Sequence, residues 1–116
     1  METYKTPLDA AFHALSDPTR REVVSRLTRS PAPVKELAAP FAMGLPAFLK
    51  HLRVLENSGL ITTEKTGRIR TCRVRVERLA QAESWLSEQR AHWLAMTDRL
   101  ASYVETKMQE DDENDG

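Results

Sequence analysis

The stretch from Met43 to Leu60, MGLPAFLKHLRVLENSGL, admits few folds. Leu45, Phe48, Leu52 and Leu55 recur at spacings of 3, 4 and 3, so at about 100° per residue they share one face of a helix. Gly44 or Leu45 fits the N-cap. Pro46 fits the first turn, where a missing N–H costs little. Gly59 fits the position just past the end, where a left-handed residue closes a helix. Pro46, Ala47, Lys50, Arg53, Val54 and Asn57 lie roughly opposite the apolar stripe, with His51 on its flank. Small side chains in a first turn permit close approach, and cations further along meet phosphate, as entry into a DNA major groove requires. An ordinary amphipathic surface helix carries the same pattern, so the flanking segments have to decide.

Upstream, Thr6-Pro7-Leu8-Asp9 is a helix start with Thr6 as cap, followed by Leu8, Phe12 and Leu15 on one face. Asp17-Pro18 starts a second helix over about Pro18–Thr28, which buries Val23, Val24 and Leu27 and turns Arg20 and Arg21 elsewhere. Those arginines read as solvent cations, or as partners for a phosphate or a second subunit. Arg29-Ser30-Pro31-Ala32-Pro33 reads as a loop. Val34, Leu37, Ala38 and Phe41 define a third short helix, and Ala42-Met43-Gly44 is a tight connection into the focal one. Two short helices so joined, the second two-faced, form a helix-turn-helix pattern that generic helical hairpins share.

Past Gly59 the period becomes strand-like. Leu60–Glu64 and Ile69–Val76 flank a turn at Lys65-Thr66-Gly67-Arg68, giving a hairpin over 60–76 with Arg68 and Arg70 at its tip. Beside a helix-turn-helix this is a wing, whose cations lie against phosphates; an edge hairpin kept soluble by charge is the other reading. Cys72 falls on one strand face with Val74 and Val76. It is a small buried residue, or a redox sensor if Arg70 and Arg73 lower its pKa. From about Leu79 to Met108 the chain is helical, with a break expected near Ala82–Ser84. Trp85, Trp93, Met96, Leu100 and Val104, with Gln89, form a stripe that Leu86 and Tyr103 widen. A small domain leaves such a stripe little to cover. A second copy is the expected partner, with help from Leu8 and Phe12; folding back over the same domain is the alternative.

At 116 residues the chain makes one domain, divided as a flexible N-terminus 1–5, a domain 6–108 and a disordered acidic tail 109–116. Zero net charge conceals a basic middle: Lys50–Arg78 holds eight Lys or Arg against three Glu, while Glu110–Gly116 holds five acids and no base. No apolar run has membrane-spanning length, no signal peptide opens the chain, and a single cysteine fits a reducing, cytoplasmic setting. His13, His51 and His92 are scattered and no phosphate-cradling loop is visible, so catalysis is not expected.

The segments ALSDPTRREVV (Ala14–Val24), VKELAAPF (Val34–Phe41), LPAFLKHLRVLENSGLI (Leu45–Ile61) and GRIRTCRV (Gly67–Val74) resemble the ArsR-type winged helix-turn-helix transcriptional repressors. The pattern from Trp85 to Tyr103 resembles one sub-branch of them. The resemblance runs from about Leu8 to Glu105. It implies a mostly helical fold with a small β-hairpin wing, dimerising through its terminal helices. It also implies a bacterial homodimer on double-stranded DNA, on a two-fold operator, released when an unidentified effector binds or a thiol is oxidised. Lys50 and His51 match the cation and histidine of the family's recognition helix, and Arg68 and Arg70 its wing tip. Gly44 stands where many members have a hydroxyl cap, and Leu49 where many have Ser. The third helix lacks the paired cysteines of metal-sensing members. His92 has Glu88 one turn away and Asp98 further along but no second histidine, so no metal and no cofactor is expected. A protein-interaction module that kept the fold is the alternative function; it would expose an apolar patch where a DNA reader exposes Lys50, Arg53, Arg68 and Arg70.

Overall fold

The computed structural model describes residues 6–114; the flexible segment expected over residues 1–5 lies outside them. Five helices and three strands follow in the order α1 (Pro7–Leu15), α2 (Pro18–Leu27), β1 (Ala32–Pro33), α3 (Val34–Ala38), α4 (Leu45–Asn57), β2 (Ile61–Thr66), β3 (Ile69–Val74) and α5 (Val76–Asn114). Among the described residues, 6–82 form one compact unit and 83–114 a second.

The helix starts follow the sequence. Thr6 Oγ1 accepts from Asp9 N at 3.1 Å and Asp17 Oδ2 from Arg20 N at 3.0 Å, each ahead of a proline in the first turn. The core of the first unit is built from Val23, Val24, Leu27, Leu37, Phe48, Leu52, Leu55, Leu60, Ile61 and Cys72. α1 is anchored by Ala11 and Ala14, both fully buried, while Leu8 and Phe12 are half-buried. Its smallest residues, not its largest, make the closest approach.

The connection between α3 and α4 is longer than expected. α3 stops at Ala38 and residues 39–44 form the turn, because Pro40 has no N–H to continue the ladder. The carbonyls this leaves behind are taken by Arg26 of α2: Nη1 donates to Leu37 O at 3.1 Å, and both Nη atoms reach Glu36 O at 3.4 Å.

The sheet has the order β1-β3-β2 and is antiparallel throughout. β1 corrects the loop expected at Ala32–Pro33: Ala32 pairs with Cys72 and Pro33 with Thr71. A two-residue edge strand has no periodicity to reveal it, and an edge tolerates proline. Thr66 pairs with Ile69, leaving Gly67 and Arg68 as the turn, with φ +64° at Gly67 and no positive φ at Arg68, the pattern of a type II′ hairpin.

β3 ends two residues before the expected Val76, which instead opens α5 and is exposed. α5 also corrects the expected start at Leu79, the break near Ala82–Ser84 and the end at Met108. It runs unbroken through Asn114, into the segment expected as tail, since no Gly or Pro interrupts Val76–Asn114. In the second unit Trp85, Leu86, Trp93, Leu94, Met96, Leu100, Tyr103, Val104 and Met108 are all exposed.

Candidate nucleic-acid interface

α4 is held from below and closed cleanly. Phe48, Leu52 and Leu55 are buried, and the Phe48 ring lies 5.5 Å from that of Phe41. At its end Gly59 N donates to Glu56 O at 3.0 Å and Leu60 N to Leu55 O at 3.1 Å, a Schellman closure with Gly59 at φ +82°. A Cβ on Gly59 would stand 2.7 Å from Arg78 Nε, which that flexible side chain could yield, so it is the backbone that demands glycine. Leu45 departs from the expected buried stripe: it is 54% exposed. As the first helical residue it leans towards the preceding connection instead of the core.

The outer face of α4 carries Pro46, Ala47, Leu49, Lys50 and Arg53, all exposed. Leu49 is 38% exposed, which leaves it free for a thymine methyl. His51 is different. It is half-buried, and Arg20 Nη1 lies 3.1 Å from its Nδ1. A guanidinium has no acceptor, so Nδ1 accepts and the ring proton sits on Nε2. Asp17 Oδ2 stands 3.7 Å from the same Nδ1. Burial alone would raise the Asp17 carboxyl; the backbone N–H groups of Arg20 and Thr19 and the guanidinium charge of Arg20 outweigh it and hold it below its ordinary value. His51 thus couples α4 to the α1–α2 junction, and only its Nε2 edge remains to donate outwards.

On the wing, Arg68 and Arg70 are exposed, and register adds a cation that sequence reasoning missed. Lys65 pairs directly with Arg70 across the hairpin. Like charges facing each other across two strands are destabilising, and an anion laid against the tip would relieve that repulsion. Only the Thr66–Ile69 pairing reveals this, and that depends on which residues form the turn.

Three arginines of the first unit, all on α2, are tied into the fold. Arg20 is 8% exposed; its Nε donates to Ala14 O at 2.7 Å and its Nη2 to His13 O at 3.2 Å. Arg21 Nη1 donates to Leu15 O at 2.8 Å. With Arg26 on α3, the arginines of α2 cap the carbonyl ends of both neighbouring helices. Arg20 is therefore neither the solvent cation nor the interface cation the sequence allowed. Lys50, Arg53, Lys65, Arg68 and Arg70, by contrast, are exposed and bond to no carboxylate or carbonyl among the described residues.

Cys72 is fully buried at the centre of the sheet, and burial first, then the charge of Glu56, pushes its thiol up to about 11 against a smaller opposing effect of Arg70. A redox sensor needs an accessible thiolate, so the geometry favours the packing role. The folded protein should resist an aromatic disulfide reagent at pH 8, with labelling paced by unfolding. Stoichiometric labelling within a minute under native conditions would restore the sensor reading. Among the described residues no group of three or more His, Cys, Asp or Glu is placed to hold a metal ion, and no helix is long and apolar enough to cross a membrane.

A family model described as a helix-turn-helix domain matches residues 15–64. The HTH-type transcriptional regulator Rv2034 of Mycobacterium tuberculosis is 42% identical over 67 residues, 58% of this chain and 62% of that protein. The match thus spans less than two thirds of that relative. Among solved structures, the ArsR family transcriptional regulator RHA00566 is 52% identical with a TM-score of 0.73, over 80% of this chain and 96% of the other. An ArsR-like transcriptional regulator from Rhodococcus sp. RHA1 is 32% identical with a TM-score of 0.66, over 83% of this chain and 88% of the other.

Proposed function

We propose, from the premise that this chain belongs to the ArsR family of winged helix-turn-helix transcriptional regulators, that it is a homodimeric repressor of the bacterial cytoplasm binding an inverted-repeat operator in double-stranded DNA. α4 enters the major groove, with Pro46 and Ala47 at the base edges and Lys50, Arg53 and the His51 Nε2 edge beside them. The wing lays Lys65, Arg68 and Arg70 along flanking phosphates. The α5 stripes pair the subunits with Leu8 and Phe12 at the margin, setting the two recognition helices about 34 Å apart.

The observation that carries this reading is the division among the cations. Those on α2 are bound to backbone carbonyls, whereas those of α4 and the wing are exposed and bound to no protein acceptor among the described residues. Lys50 and Arg53 on the helix, with Lys65, Arg68 and Arg70 towards the tip of the hairpin, offer unneutralised charge to a polyanion. The reading assigns the chain no reaction to catalyse.

Selection from a pool of random duplex DNA at physiological salt should enrich an inverted repeat. Replacing both Arg68 and Arg70 with Ala should then weaken binding to every sequence and lower the salt slope. At about 0.9 per phosphate neutralised, removing both arginines from each subunit of a dimer corresponds to a fall of roughly 3.6. An unchanged slope would remove the wing from the interface. Recovery of no motif would bring the protein-interaction reading forward.

A further inference from the structure

A groove of ≈ 910 Å³ opens between α3, the connection that follows it and the tip of the wing. Val34, Phe41, Met43, Leu45 and Ile69 supply its apolar surface, and Lys35, Arg68 and Arg70 its charge. Leu45 and Ile69 are 54% and 59% exposed. No carboxylate lines the groove, and none of its three cations is paired with one among the described residues. The volume falls in the range of small-molecule sites, roughly 300–1,000 Å³.

The composition selects the occupant. An apolar molecule without charge would cover Leu45 and Ile69 but would partly desolvate three cations with nothing to pair them. A cationic amphiphile would be repelled. DNA alone satisfies the arginines but has no apolar part for Val34, Phe41 and Leu45. A molecule with an alkyl or aryl body ending in a carboxylate satisfies both halves, because a guanidinium takes a carboxylate in bidentate fashion.

We infer that this groove binds an amphipathic carboxylate, its body against Phe41, Leu45 and Ile69 and its head group between Arg68 and Arg70. The consequence for regulation rests on the DNA-binding reading above. The head group occupies wing cations which that reading gives to phosphate, so ligand and operator compete and the ligand is an inducer. Reciprocity then requires that operator weaken ligand binding by the same factor.

The chain contains only two isoleucines, Ile69 in the groove and Ile61 in the core at 1% exposure. Isoleucine-methyl NMR of the full chain therefore separates the site from everything else, including the apolar face of α5. Decanoate below its micelle concentration should shift Ile69 saturably and leave Ile61 in place. Decanol should bind about tenfold more weakly for want of the charged hydrogen bonds, and decyltrimethylammonium should give no saturable shift. Ala39→Trp, at an exposed position lining the groove, should abolish the decanoate shift while the Ile61 signal certifies the fold. Arg70→Gln should weaken decanoate about tenfold. A silent Ile69, equal shifts from all three amphiphiles, or a response that survives Ala39→Trp would overturn the site.

Fluorescence anisotropy on the selected operator then tests competition. Decanoate should release the DNA, and simultaneous independent binding would overturn the inducer role. If Ile69 responds but the protein retains no DNA, the site stands and the DNA-binding reading falls. If DNA binds and Ile69 stays silent, the reverse holds.

Discussion

Arg20→Met is expected to lower the stability of the fold by about 3 kcal/mol and its melting temperature by about 10 °C, the largest effect of any single cation removed from the first unit. The side chain is 8% exposed and joins Ala14 O, His13 O and His51 Nδ1. Methionine restores much of the stem but none of the donors. His13 O keeps Ser16 N at 3.1 Å and Ser16 Oγ at 2.6 Å, so the main loss falls on Ala14 O and His51 Nδ1, left in a part-buried site without their donor. Arg20→Lys should recover only a fraction, since one ammonium does not span acceptors laid out for a planar fork. Thermal unfolding at fixed protein concentration measures both variants. A melting temperature within about 2 °C of the parent for Arg20→Met would mean that the α1 end carbonyls are satisfied by water and that the guanidinium is incidental. The expected loss also reaches function: without Arg20, His51 has no fixed tautomer, and the recognition helix loses its polar tie to the α1–α2 junction.

This arginine also marks the limit of what the chain discloses when read linearly. Periodicity located every helix, because apolar spacing and Pro or Gly at the ends act within one turn. Asp17-Pro18, Gly59 and Gly67 each perform in the fold the local task their chemistry suits them for. What stayed hidden depends on residues distant in sequence. The role of Arg20 requires α1 to end beside α2 and α4 to pass over both. The role of Arg26 requires Pro40 to have stripped α3 of its last bonds. β1 exists only because β3 lies next to Ala32. Leu45 carries the right period and the wrong exposure, since periodicity states which residues share a face but not where that face loses its cover.

The candidate site was legible to a similar degree and for the same reason. Lys50, Arg53, Arg68 and Arg70 follow from the pattern of the helix and the wing, and all are exposed. His51 lies on the flank that the spacing gives it, yet its Nδ1 is spent inwards on Arg20. Lys65 escaped notice because a charge in a turn-proximal strand acquires meaning only from its cross-strand neighbour, Arg70. Assigning cations to DNA by sequence alone therefore risks counting those that staple helices together. Their backbone-carbonyl partners set Arg20, Arg21 and Arg26 apart from Lys50, Arg53, Arg68 and Arg70, and on that criterion α2 contributes none to the interface.

Trp93→Arg is expected to disperse the proposed dimer, and with it nearly all specific DNA binding. Trp93 is 60% exposed among nine large apolar side chains exposed between Trp85 and Met108 on one helix, a larger apolar surface than an isolated small domain ordinarily leaves in water. Buried at a two-fold interface, a tryptophan is worth roughly 2 kcal/mol or more, and symmetry removes two at once, so the dimer should weaken by about a thousandfold before any charge repulsion is added. Sedimentation velocity at micromolar protein should show a monomer. Ala95→Arg, two residues on and so on the face away from Trp93, should remain a dimer, which separates a lost interface from a damaged helix. Monomers present one recognition helix each, so operator affinity should fall to that of a half-site while the salt-sensitive, sequence-independent part persists per subunit. If Trp93→Arg sediments as the parent does and Ala95→Arg does not, the subunits pair through the opposite face of α5. If neither variant changes the assembly, α5 is not the interface, and the half-buried Leu8 and Phe12 of α1 become the surface to test.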